Sequence, residues 1–127
     1  MTRQLFLGLS SVVALAVAAI ALFLPHGLLI GKGVEPDALR VVWVREVGAL
    51  ILAVGVTTLL VRKAPDSVAL RGVLIGNAVV HFALLPIEIA AFIQGAITKL
   101  EGIVPNSLLH VALGTGFVLY ARRVHVS

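Results

Sequence analysis

The chain contains no cysteine, which removes disulfides, thiolate zinc sites, iron–sulfur clusters and thiol–disulfide redox chemistry from anything it does by itself. Charge is scarce as well: 13% of the residues are Asp, Glu, Lys or Arg, about half the share usual in water-soluble domains. A phosphate-binding glycine loop, a Ser-His-Asp order and an HExxH-type metal helix are all missing. The formal net charge of +4 invites a nucleic-acid reading. However, the Lys and Arg residues sit at the ends of apolar runs and form no continuous basic stripe, so they read as membrane anchors and nucleic acid is not an expected partner.

What the chain has in abundance is hydrocarbon, with 60% hydrophobic residues and a mean hydropathy of +1.11. A helix needs about 20 apolar residues to cross a ~30 Å hydrocarbon core, so 127 residues hold about four crossings and little else. The expected fold is all-α: a polytopic membrane protein, a four-transmembrane-helix bundle forming one domain, with the lipid bilayer as its solvent. The first helix is expected over residues 5–24, ending at Pro25-His26-Gly27. Met1-Thr2-Arg3-Gln4 looks like the start of a signal peptide, but the apolar run that follows exceeds the usual 7–15 residue core of such peptides.

The stretch from Gly31 to Leu39 carries turn-forming Gly, Pro and acidic residues, and Asp37 can cap a second helix over 38–61, with Trp43 near an interface. Pro65 with Asp66 or Ser67 breaks and restarts the chain, predicting a third helix over 68–97 that Pro86 should bend. The fourth is expected over 104–121, beginning near Pro105-Asn106-Ser107. Arg3, Arg62, Lys63, Arg71, Arg122 and Arg123 fall at one end of these helices, and Lys32, Arg40, Arg45 and Lys99 at the other. By the positive-inside rule the first end, with both termini, is cytoplasmic.

Ionisable groups within a spanning helix cost about 2.5–3.5 kcal/mol on insertion scales and usually face the bundle interior. Asn77, His81 and Glu88 are spaced i, i+4, i+11, which places them on one stripe of the third helix. Glu46 and Thr57 share a face of the second helix by the same relation, while Arg45 points about 100° away. A cavity open to the outer leaflet is therefore expected, with an upper tier of Arg45, Glu46 and Glu88 and a lower tier of His81 and His110. Arg45 either faces Glu88 or snorkels outward. Glu88, Glu46, His81 and His110 are the candidate catalytic groups, and Arg45, Asn77, Thr57 and Trp43 the candidate ligand contacts; no metal set is seen and no cofactor is named by the residues.

Each has a plainer reading. Arg45-Glu46 also fit interfacial residues ahead of an apolar core beginning at Val47, and His110 and His26 fit helix-end residues facing headgroups. Gly72/Gly76, Gly48/Gly55 and Ala112/Gly116 provide small faces for packing within the bundle or between copies.

The run Val44-Arg45-Glu46-Val47-Gly48-Ala49-Leu50-Ile51-Leu52-Ala53-Val54-Gly55, followed by a basic turn and two further helices, resembles the small four-helix bacterial membrane proteins of the DoxX-like group. The resemblance implies a four-helix bundle in a bacterial inner membrane and no single activity; some members are associated with quinone-linked oxidoreductase complexes. Three functions stay open. One is a subunit or assembly partner of a membrane complex, or of a homo-oligomer, with the polar cluster pairing internally. The second is an isomerase, cyclase or hydrolase-type enzyme using acid–base catalysis on a small lipophilic molecule. The third is a small transporter or proton path.

Overall fold

Three of the long helices begin where a short polar side chain can close the first turn. Thr2 accepts from the Leu5 N–H at 3.2 Å, Asp37 from Arg40 at 2.8 Å and Ser67 from Leu70 at 3.1 Å, each satisfying a donor that the helix itself leaves orphaned. In the computed structural model, which describes residues 1–125, these starts give α1 (Arg3–Phe23), α3 (Ala38–Val61) and α4 (Val68–Ile93). Two further helices, α2 (Pro25–Gly31) and α5 (Val104–Arg122), and a short 3-10 turn at Leu100–Gly102 complete the fold, with no strand among the described residues. The helices α1, α3 and α4 and the segment Leu100–Arg122 are each long and apolar enough to cross a membrane.

Two boundaries differ from the sequence expectation, and both follow from local backbone chemistry. Pro25 does not merely stop the first helix: it pushes Leu24 out of the helical region (φ −126°, ψ 44°) and then starts α2 at a position where its missing N–H costs nothing. The third long helix passes through Pro86 but ends at Ile93, short of residue 97. Gly95 takes φ +73° there, and the bonds Gly95 N–H to Phe92 O (3.0 Å) and Ala96 N–H to Ala91 O (2.9 Å) close a Schellman motif. Gly33, at φ +71°, ends α2 in the same way.

Packing is in two antiparallel pairs, α1 along α3 and α4 along α5. The first pair is close because Gly48 and Gly55 turn toward α1, where they meet Ala21, Leu22, Ala14 and Leu15, and Ser11 donates to the Gly55 carbonyl at 2.7 Å. The pairs join at the end that carries Arg3, Arg62 and Arg122. There Phe6 and Leu7 of α1 pack with Leu70, Leu74 and Ala78 of α4 and with Phe117 and Ala121 of α5. Residues near both ends of the described chain are tied to this basic end: Tyr120 donates to the Met1 carbonyl at 2.6 Å, Arg3 pairs with Asp66, and the His125 N–H donates to Asp66 at 2.9 Å. At the opposite end α2 is held by the loop after α4, whose Thr98 and Lys99 N–H groups donate to the Lys32 carbonyl at 3.1 and 3.3 Å. The outward surface is hydrocarbon, with Leu50, Leu60, Val68 and Ile93 68–77% exposed, as suits an apolar surrounding.

The glycines differ in what they face, so their substitutions differ in sign. A Cβ on Gly102 would lie 2.7 Å from the Gly31 carbonyl oxygen and 2.8 Å from Lys32 Cα, a backbone collision, and Gly102→Ala is expected to cost about 1–3 kcal/mol. Gly72 has nothing within 4 Å, so Gly72→Ala is expected to be neutral or stabilising by up to about 1 kcal/mol; thermal unfolding of both variants in detergent checks the contrast.

The Arg3 guanidinium, and next the His125 backbone N–H, hold the Asp66 carboxyl below its ordinary value of 3.8. A group with a depressed folded pKa contributes stability that is present above its unfolded value and is lost as pH falls through the folded one. The docking of Arg3 and His125 on Asp66 is thus expected to be full above about pH 3.8 and to weaken only below it. Amide hydrogen exchange near residues 3 and 125 reads this directly, and Asp66→Asn should exchange fast already at neutral pH.

Candidate functional site

Between the two helix pairs lies a cavity walled by Val13, Ala14, Val17, Ile51, Val54, Val80, Leu84, Leu109 and Leu113 and floored at the basic end by Phe117. Space reachable by water-sized molecules amounts to about 80 Å³, room for on the order of five waters or for part of an apolar chain. The polar groups on its wall are few: Ser10, Thr58, Asn77, His81, Asn106 and His110.

Three of these belong to a continuous hydrogen-bonded chain. Lys32, at the C-terminal end of α2, reaches across to Glu88 of α4 and forms an ion pair with Oε1, their side chains only 23% and 12% exposed. Asn106, near the start of α5, places its amide nitrogen 2.8 Å from both Glu88 oxygens and 3.1 Å from His110 Nε2. His110 Nδ1 then lies 2.8 Å from His81 Nδ1, and the His81 ring stacks on Phe117 with centroids 5.7 Å apart. At that Nδ1–Nδ1 distance one ring donates and the other accepts, so the two imidazoles cannot both be cations while the contact holds. One turn along α4 from His81, Asn77 is buried; its amide donates to the Val73 carbonyl at 2.9 Å, and its oxygen lies 3.3 Å from the Thr58 hydroxyl.

The structure therefore brings Glu88, His81, His110 and Asn77 to one region, and leaves the other four sequence candidates outside it. Glu46 is exposed on α3 and makes no hydrogen bond or ion pair among the described residues. Gly48 follows Glu46 by two residues, roughly 200° around the helix; once the glycine face packs on α1, Glu46 must look away. Thr57 shares that outward face and bonds only the Ala53 carbonyl of its own helix at 2.8 Å, whereas its neighbour Thr58 turns inward. Arg45 does not face Glu88: its Nε donates to the Leu22 carbonyl at 3.3 Å, serving an orphan acceptor in the last turn of α1. Trp43 is 59% exposed on the outer surface. Of the upper tier expected from sequence Glu88 keeps its place, joined by Lys32 and Asn106 instead of Arg45 and Glu46, and Lys32 caps the polar chain at the end where an opening was expected.

Sequence reasoning missed Lys32, Asn106 and Thr58. Asn106 and His110 stand at i, i+4 on α5, the same signal that grouped Asn77 with His81, so Asn106 was within reach. Lys32 gave no such signal, because it meets Glu88 across 56 residues through a Gly-ended helix and a loop. Among the described residues, no three His, Asp or Glu side chains come together as a metal set. A shallow groove on the outer surface between α3 and α4, bordered by Ala53, Thr57, Val73 and Gly76, shares Val54, Asn77 and Val80 with the cavity.

No protein-family model matches this chain, and neither does any curated protein or solved structure.

Breaking a largely buried ion pair from one side leaves the other charge uncompensated, whereas removing both costs much less. Glu88→Leu is therefore expected to destabilise the fold by on the order of 3 kcal/mol, and Lys32→Met combined with Glu88→Leu to recover most of that loss. Unfolding in detergent of the two singles and the double completes the cycle.

Proposed function

We propose that this protein is a multi-pass protein of a bacterial inner membrane, its basic end cytoplasmic, that holds a small lipophilic molecule in the cavity between its two helix pairs. The observation that carries this reading is the cavity's make-up: apolar walls with a small set of polar groups, the usual composition of a site that buries a ligand's hydrocarbon and orients one polar atom. Val54, Asn77 and Val80 line both the cavity and the α3–α4 groove, which supports uptake sideways from the hydrocarbon phase. Two-carboxylate acid–base catalysis loses its support, since Glu46 and Glu88 stand on different faces of the molecule and Glu88 is already ion-paired. A proton path is disfavoured too, because the Asn106 amide in the middle of the chain accepts no proton at nitrogen.

The subunit reading keeps one specific support. Glu46 is exposed without a partner among the described residues, and Gly72 and Gly76 open onto free space, a surface on which a second membrane protein could pack.

Purification in mild detergent separates the two. Solvent extraction and mass spectrometry of the wild-type protein are expected to yield a discrete lipophilic compound near one per chain, and Val54→Phe, which fills the cavity wall, to lose it at unchanged helix content. A wild-type protein that carries only detergent and bulk phospholipid, and runs with a stoichiometric partner subunit, overturns the ligand reading in favour of the other.

A further inference from the structure

The polar chain has a direction, which follows from which atoms can donate. A carboxylate only accepts, so the side of Asn106 that meets both Glu88 oxygens is its NH2 group. That nitrogen has no lone pair to offer, so its second hydrogen is donated to His110 Nε2, 3.1 Å away. A neutral imidazole that accepts at Nε2 carries its proton on Nδ1. His110 Nδ1–H therefore donates to His81 Nδ1 at 2.8 Å, and His81 is left with its proton on Nε2. That Nε2 has no hydrogen-bond partner among the described residues, and the ring borders the cavity, steadied by its stack on Phe117. Asn77, about 6 Å along the helix, spends one amide hydrogen on Val73 and keeps the second.

Resting on the ligand-binding reading above, we infer that the molecule held in this cavity is a neutral lipophilic carbonyl compound, its oxygen accepting a hydrogen bond from His81 Nε2–H. No charged side chain lines the cavity, so an ion of either sign meets uncompensated desolvation, and the hydrogens left over on its wall, those of His81 Nε2 and the second of the Asn77 amide, call for an accepting oxygen. A pure hydrocarbon leaves the His81 donor unsatisfied in apolar surroundings. From Asn106 onward each group donates to the next, Asn106 to His110 and His110 to His81, a head-to-tail order that strengthens the last donor.

Protein labelled with 15N-histidine, in detergent micelles, tests this with two probes of equal chain length, methyl nonyl ketone and undecane. In the free protein the His81 proton is expected on Nε2, and its resonance is expected to move on titration with the ketone. The ketone should bind about five- to tenfold more tightly than the alkane. His81→Gln, which keeps an amide donor, should retain part of this preference, and His81→Phe should abolish it while still binding undecane. A His81 proton found on Nδ1, or equal binding of the two probes, overturns the carbonyl inference; equal binding leaves the cavity reading standing, and binding of neither removes both. The tautomer is read on the wild-type protein and does not require His81→Phe to fold.

Discussion

Glu88 sits on a helix whose other faces are hydrocarbon, and a carboxylate there persists only where a cation and donors are brought to it. The cation is Lys32, and much of the local architecture serves to deliver it. Pro25 starts α2 and Gly33 ends it, while the loop after α4 pins the α2 terminus through backbone bonds to the Lys32 carbonyl. Asn106, steered by the same carboxylate, then sets the orientation of His110, and His110 that of His81. A side chain at the end of the molecule opposite the basic one thus dictates which nitrogen of an imidazole on the cavity wall carries hydrogen.

The two helix pairs make this arrangement mechanically reasonable. Within a pair, glycines bring backbones together, as at Gly48 and Gly55 against α1 and Gly114 beneath Phe82. Between pairs, the apolar packing gathers in the aromatic and leucine cluster at the basic end, where Phe6 meets Phe117 edge-on with centroids 5.0 Å apart, while at the opposite end Gly102 lies against the α2 terminus. Above that cluster the pairs are bridged by few side chains, so space remains between them. The tie of residues near both ends of the described chain to Asp66 and Tyr120 closes the end of the molecule where this cluster lies.

The four long apolar helices were legible in the sequence because hydrophobic length and capping residues are local signals: Asp37 caps where expected, and of the two candidates Asp66 and Ser67 it is Ser67 that caps α4. The grouping of Asn77, His81 and Glu88 was readable from helical spacing alone. What could not be read was which face of α3 would win the contact with α1. Helical periodicity puts Glu46 and Thr57 together but does not say that the glycine face, nearly opposite, takes the interface. Arg45 and Glu46 adjoin Gly48 in sequence and were read as one feature, whereas their roles separate: the glycine packs, Arg45 serves the end of α1, and Glu46 faces outward. The partner of Glu88 was illegible for a related reason, as it depends on two left-handed glycines and a loop-to-helix backbone contact.

The contact between the two imidazoles joins the chain from Lys32 to the cavity. A 15N–15N coupling measured across the hydrogen bond between the two Nδ1 atoms, in histidine-labelled protein reconstituted into bilayers, tests it most directly. A resolved coupling between His81 and His110 that disappears in Asn106→Leu is the result the account requires. Two rings with no coupling in the wild-type protein, each free to exchange tautomers, would contradict it.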